Sequence, residues 1–261
     1  MPFTVSHAAA VIPLRKVFHG FLPLSALIIG SFSPDFRYFI PALRLQIFSH
    51  SLPAIFVFCL PLSLLVLFVF HKIVKEPLFQ LLPESLQRRI EPESLKFSFL
   101  PLKKLIAIVI AIILGAFTHI VWDSFTHEHG DAVERWQVLY TTSFRVFGFD
   151  LRLYKLLQHG STFVGLGLLA YWFMKWFRKQ PVPQTESKAY LAESTKTKIL
   201  ALLISFAMLI GLIVGFWLSA RFNGVLAFRV FVVQTVVGTM TTFAFAVFLY
   251  SLVFKWQKRI P

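Results

Sequence analysis

The chain has 261 residues, 57% of them hydrophobic and only 15% charged, where an ordinary soluble domain carries roughly a quarter charged residues. With a mean hydropathy of +0.71, that balance excludes a water-soluble globular domain and points to lipid as the main solvent. The formal net charge of +14 does not mark a nucleic-acid binder. The basic residues fall in short clusters between long apolar runs, which is the pattern of cytoplasmic loops.

The first 20 residues include Pro2, His7, Pro13, Arg15, Lys16 and His19. They lack the order of a cleavable signal peptide and are expected to remain in the mature protein. Phe21–Phe32 is a short apolar stretch that ends in Ser33-Pro34. It predicts a short span, a re-entrant half-helix or a helix packed on a site. Five longer stretches approach the roughly 20 residues that a bilayer core requires: Ala54–His71, Leu105–Trp122, Ser161–Phe177, Ile199–Ala220 and Phe228–Phe254. The expected fold is all-α, a polytopic helical membrane protein with five or six transmembrane helices. Cys59, the single cysteine, lies inside the first of these runs, so neither an intrachain disulfide nor a cysteine-based zinc site is available.

The connecting segments alternate in charge. Lys72–Lys104, Lys175–Lys198 and the C-terminal Lys255, Lys258 and Arg259 are basic and are expected to be cytoplasmic. Asp35–Pro53, Asp123–Gly160 and Arg221–Arg229 are then expected to face outward. Gln180–Thr197 holds Pro181, Pro183 and several Ser, Thr and Lys residues and reads as a flexible linker. The predicted organisation is a helical membrane domain over 1–180, a linker over 181–198 and a C-terminal helix pair over 199–261. That pair carries no His, Asp or Glu, which suits an anchor or lid better than chemistry.

The chain has four Asp and eight His, and most of the His stand beside or within apolar segments, where ionisable groups are costly and mark function by default. In Gly115-Ala-Phe-Thr-His119-Ile-Val-Trp-Asp123-Ser-Phe-Thr-His127-Glu-His129-Gly130, a continuing helix puts His119 and Asp123 one turn apart on one face. His127 and His129 add nitrogens where that helix is expected to end near Gly130. Such a nitrogen and oxygen set suits Zn, Mn or Fe, although polar residues at a helix end can also simply meet water and headgroups. Ser33-Pro34-Asp35 reads equally as a helix start, with Ser33 as N-cap and Pro34 at the first position. His50 reads equally as an interfacial residue and His159 as a helix-start residue, and His7 lies near the N-terminus, where a histidine has no special claim. What links them is sidedness: Asp35, His50, His119, Asp123, His127, His129 and His159 all fall on the outward side. His7 joins them only if Phe21–Phe32 does not cross. No nucleophile elbow, Walker loop or dinucleotide fingerprint is present.

Five motifs carry a resemblance. Met1-Pro-Phe-Thr-Val-Ser-His7, Gly30-Ser-Phe-Ser-Pro-Asp35, Ser49-His50-Ser51-Leu52, the His119 to His127 segment and Leu157-Gln-His159-Gly160-Ser161 resemble, in the same order, a bacterial multi-pass membrane family of unknown function, domain of unknown function 4184. That family is distantly similar to inner-membrane metal-dependent hydrolases. The order of its motifs is similar to the ligand order of the all-helical zinc-dependent phospholipase C group. The resemblance implies His7, Asp35, His50, His119 and Asp123 as ligands, with Asp123 bridging two ions and His127 or His129 completing a further position with His159. The chain departs from those phospholipases in having no late His-x-x-x-Glu motif, because Phe163 stands at that spacing after His159. One or two divalent ions, zinc first, are therefore implied rather than three.

The function expected from this reading is a metal-dependent hydrolase of the bacterial plasma membrane, acting at its outer face on a phosphoester of a membrane lipid. His119 and Asp123 are its central residues, and Arg37, Arg44 and Arg135 are candidate phosphate partners. The alternatives are a non-enzymatic protein with a structural metal site, or a transport protein. Transport is disfavoured by the scarcity of polar residues in the last two spans.

Overall fold

The computed structural model describes residues 4–40, 49–90, 96–146, 149–181 and 191–258. Helices dominate it. Ala8–Val17 (α1) and Leu24–Phe32 (α2) are short, and Leu52–Gln80 (α3), Leu102–Thr126 (α4), Leu153–Lys179 (α5), Glu193–Ser219 (α6) and Gly224–Gln257 (α7) are long. The described strands are one antiparallel hairpin, Ser143–Val146 with Phe149–Arg152, the single departure from an all-α fold.

Four segments are long and apolar enough to cross a membrane: Leu52–Gln80, Leu102–Arg135, Glu193–Ser219 and Gly224–Gln257. Large apolar side chains project outward from them, among them Val57, Leu202, Phe216 and Phe245, an exposure that water would penalise and acyl chains accept. The protein is a polytopic helical membrane protein. The predicted span Ser161–Phe177 lies inside α5, which is not among the four. Phe21–Phe32 yields only the nine-residue α2, about 13 Å long at 1.5 Å per residue and too short for a core of about 30 Å.

The chain divides into two compact units. The first takes in Met1–Phe36, Gln46–Leu67 and Ser98–Lys179. Its centre is a close crossing of α2 and α4. A side chain on Gly30 would run into the Ile112 backbone, and one on Gly115 into the backbone of Leu27 and Ser31. Only glycine lets two helices approach backbone to backbone in this way. The buried stripe of α4 runs through Ile108, Ala111, Ile112, Gly115 and Ala116 to His119 and Asp123. It is a helical repeat that turns polar over its last two steps. The turn Thr4–His7 packs on α5, with Ser6 against Gly165. A small satellite core of Val133, Leu139 and Tyr154 holds the segment after α4.

The second unit takes in Arg37–Leu45, Phe68–Phe97 and Gln180–Pro261. Its centre is the antiparallel pair α6 and α7, where Gly211 lies against Thr239 and Gly215 against Thr235. This is the small-x-x-x-small contact of membrane helix pairs. At the start of α6 the buried Lys196 ammonium donates to Glu193 Oε1 at 2.7 Å and Gln87 Oε1 at 3.2 Å, as a buried cation requires. Residues 182–190 of the predicted linker lie outside the described residues.

Candidate metal centre

Four separate pieces of chain in the first unit bring ionisable side chains to one point. Helix α4 supplies His119 and Asp123, whose i, i+4 spacing puts Nε2 and Oδ2 3.2 Å apart. The turn Ser33–Asp35 continues straight from α2 and turns the buried Asp35 inward. Ser33 does not cap a helix as its sequence suggests. Its hydroxyl donates back to the Gly30 carbonyl at 2.7 Å. His50 stands just before α3, with Ser49 Oγ 3.1 Å from its Nδ1. His7 closes the N-terminal turn, and its ring stacks on that of His119 at a centroid distance of 3.9 Å.

The distances define a cage. His50 Nε2 is 3.4 Å from both Asp35 Oδ1 and Asp123 Oδ2, and His119 Nε2 is 3.7 Å from Asp35 Oδ1. One atom from each of Asp35, His50, His119 and Asp123 lies within 4.8 Å of all the others. His7 Nε2 meets the other oxygen of Asp123, Oδ1, at 3.4 Å. Asp123 thus presents one oxygen to His50 and His119 and its second to His7.

Hydrogen-bond accounting explains why these groups gather. His119 Nδ1 is 2.7 Å from the Ser31 carbonyl oxygen, an acceptor, so Nδ1 carries the hydrogen and Nε2 presents a lone pair. That lone pair faces carboxylate oxygens, which are also acceptors. His7 Nε2, Asp35 Oδ1, His119 Nε2 and Asp123 Oδ1 are buried without a hydrogen-bond partner among the described residues. Each such buried polar atom costs roughly 1–3 kcal/mol. A cation held by Asp35, His50, His119 and Asp123 would engage Asp35 Oδ1 and His119 Nε2 together, and the two carboxylates match the charge of one divalent ion. The Asp-His-His-Asp group can hold a metal ion.

The protonation of the outlying groups fits this field. Burial drives the His50 imidazolium down, but the Asp123 and Asp35 carboxylates, each 3.4 Å away, outweigh it and hold its pKa at about 9. His7 behaves oppositely: burial, with the His119 ring beside it, lowers it to about 3, and it stays neutral. Asp35 is disfavoured as an anion by burial, yet His50, His119 and the Thr4 hydroxyl hold its pKa below the ordinary carboxylate value.

A second layer of contacts orients the cage. Thr4 Oγ1 donates to Asp35 Oδ2 at 2.6 Å. In a 3-10 turn residues i and i+3 eclipse, so Thr4 and His7 reach the cage together. Lys155 donates to Gln158 Oε1 at 3.1 Å, which leaves the Gln158 amide N–H to donate to His127 Nε2 at 3.2 Å. His127 Nδ1 is then the protonated nitrogen, 3.2 Å from the Asp123 backbone oxygen and 3.5 Å from Oδ2. His127 therefore stands beside the cage as a donor rather than with a lone pair toward it.

Two sequence expectations are corrected. Helix α4 ends at Thr126 rather than near Gly130, which leaves His129 exposed beside Glu134. On α5 the buried stripe is Tyr154, Gln158 and Gly165, so His159, one residue on, points to the exposed side. Gln158 takes the place at the site that sequence reading gave to His159, and the 154, 158, 165 spacing was the signal for it. Arg135 is exposed, Arg37 donates to the Tyr38 hydroxyl within the other unit, and Arg44 lies outside the described residues.

The fold and this cluster define the class: a polytopic helical membrane protein with a buried His/Asp group able to hold a metal ion. The chain belongs to the family described as Domain of unknown function (DUF4184), whose model matches residues 1–252. No curated protein and no solved structure matches it.

Proposed function

We propose that the protein is a membrane-embedded, metal-dependent hydrolase that cleaves a phosphoester of a membrane lipid, with its site at the outer face of a bacterial plasma membrane and zinc as its ion. The observation that carries the metal is geometric. Four ligands about 2.0–2.1 Å from a tetrahedral ion stand about 3.3–3.4 Å from one another. The four nitrogen-to-oxygen separations here are 3.2, 3.4, 3.4 and 3.7 Å, close to that spacing, and all four ligand atoms lie within 4.8 Å of one another. A nitrogen and oxygen set at those separations favours zinc over the larger oxygen-ligated cations. The second oxygen of Asp123, facing His7, supports a bridging role toward a second ion.

A divalent ion in this cage would polarise a phosphoryl oxygen and lower the pKa of a water at the site. The protein's own groups do the rest. Asp123 and His119 fix the centre, and the Ser31 carbonyl holds His119 in the tautomer that presents Nε2. Thr4 orients Asp35, and the Lys155–Gln158–His127 chain supports Asp123 and brings a cation near the site. Access favours catalysis. The side chain of His50 is 29% exposed while those of Asp35 and His119 are closed off, so the cage opens on the His50 side.

The rival reading is a structural ion in a non-enzymatic protein, favoured by the four-residue closure typical of structural zinc. Release of phosphate or headgroup from reconstituted phospholipid, with and without zinc and with Asp123→Asn as control, separates the two. Zinc-dependent release lost in the variant supports the hydrolase. Stoichiometric zinc with no release from any phospholipid class leaves the structural ion.

A further inference from the structure

His7, which meets the second oxygen of Asp123 beside the metal cage, also lines an open cavity of about 550 Å³ whose Trp122, Leu156, Leu157, Val164 and Leu168 are exposed. That volume lies within the roughly 300–1,000 Å³ of ligand sites. One wall is Ala9, Ala10 and Trp122, and the other is the face of α5 through Leu157, Val164 and Leu168. Ser6, His7 and Ser161 are its polar side chains, and everything else that lines it is apolar or glycine.

Length and polarity select the occupant. Its lining runs along α5 from Leu156 to Leu168, about 18 Å of helix at 1.5 Å per residue. One leaflet of a bilayer core of about 30 Å is about 15 Å deep. A peptide or a second copy's backbone would need its N–H and C=O groups satisfied in this environment, and three polar side chains cannot do so. An acyl chain has nothing to satisfy. A headgroup on such a chain would lie next to His7, whose ring stacks on that of the cage residue His119.

We propose that this cavity seats one acyl chain of a membrane phospholipid whose headgroup phosphate lies at the His/Asp cage. The proposal rests on the reading of the cage as a lipid phosphoester site. Because the chain moves from one apolar medium to another, the cavity contributes register rather than transfer energy. It holds the phosphoester at one height relative to the cage.

Gly160 gives the test, since it lines the cavity and a side chain built there meets nothing within 4 Å. The full chain is reconstituted in phosphatidylethanolamine–phosphatidylglycerol vesicles containing a phospholipid with a photoactivatable group in its acyl chain. Crosslinks are expected at Trp122 and along Leu157 to Leu168, and Gly160→Phe should abolish them with an unchanged unfolding temperature. Phe163, exposed on the same helix, should label equally in both proteins. Val164→Trp is a second filling variant should Gly160→Phe fail to fold. Labelling spread evenly over lipid-facing residues, cavity crosslinks that survive filling, or crosslinks to a second copy of the chain would each overturn the proposal. Hydrolysis keeps the two readings apart. The filled variant should lose about a hundredfold on long-chain lipid and keep activity on a water-soluble short-chain analogue. If the wild type cleaves neither, the phosphoester reading fails while the crosslinks still decide the cavity.

Discussion

Asp123→Asn is the perturbation that the cage makes most informative. The carboxylate touches four imidazoles, at 3.4 Å for His7, 3.4 Å for His50, 3.2 Å for His119 and 3.5 Å for His127, and the amide changes its volume hardly at all. It removes one of the two negative charges and turns one oxygen position into a donor. Structural zinc sites bind with roughly 10–16 kcal/mol. An equal share among four ligands makes one ligand worth roughly 2.5–4 kcal/mol, about a hundred- to a thousandfold in Kd. Stability should follow through linkage: an ion present at a hundred times its Kd adds about 2.7 kcal/mol to the folded state. Excess chelator should therefore lower the unfolding temperature of the wild type in detergent and leave Asp123→Asn almost unmoved. Metal content by mass spectrometry and a competitive zinc titration complete the assay. A wild type without stoichiometric divalent metal and indifferent to chelator would refute the reasoning. So would an Asp123→Asn protein that binds zinc as the wild type does.

Zinc affinity should rise about tenfold per pH unit up to about pH 9, because the ion must displace the proton held on His50 at a pKa of about 9. Without the ion, a protonated His50 stabilises the fold fully below its unfolded pKa of about 6.5, and the contribution fades as pH climbs through about 9. His50→Gln should flatten both profiles, and affinity independent of pH in the wild type would contradict this account. His7, lowered to about 3, runs the other way: its contribution is complete above about pH 6.5 and is lost as pH falls toward 3, where the unfolded chain binds more protons. Thr4→Val, which removes the 2.6 Å bond to Asp35, and His127→Ala should each weaken zinc about 10- to 100-fold. His129→Ala and His159→Ala should leave zinc titrations unchanged. Gly115→Ala should destabilise by about 1–3 kcal/mol in thermal unfolding, since its new Cβ meets backbone, whereas Gly167→Ala meets nothing within 4 Å and should be near neutral.

Much of the site was legible because two kinds of signal coincide there. Ionisable residues in apolar surroundings are conspicuous, and the i, i+4 pair His119 and Asp123 needs only a continuous helix to converge. Residues whose role depends on a neighbouring segment were harder. The Ser31 carbonyl and the Lys155–Gln158–His127 chain depend on which backbone lies opposite, and no local pattern encodes that. Gln158 was hidden by the more conspicuous histidine beside it. His129 was drawn in by proximity in sequence, but once the helix ends at Thr126 its direction is no longer tied to the face of Asp123. The spans were legible from hydropathy for α3, α4, α6 and α7. The α5 segment, whose first turns carry Lys155, Gln158 and His159, is a helix of spanning length without spanning composition.

The N-terminal segment shows how the fold makes the site. His7 and Asp35 flank a stretch whose length decides whether they can meet. A full span between them would put them on opposite faces of the bilayer. At nine residues, α2 cannot cross, and the Gly30 and Gly115 crossing fixes it against α4 instead. That contact delivers the Ser31 carbonyl to His119 and Asp35 to His50 in one step, because both follow Gly30 within five residues. It also gives the glycine test a sharper form. Gly115→Ala should release zinc as well as lower stability, since the new Cβ would run into the Leu27 oxygen and sit 2.7 Å from the Ser31 nitrogen, and relieving both clashes displaces the residue whose carbonyl holds His119 Nδ1. A Gly115→Ala protein that melts early yet titrates zinc with wild-type affinity would separate the packing from the cage and refute this link.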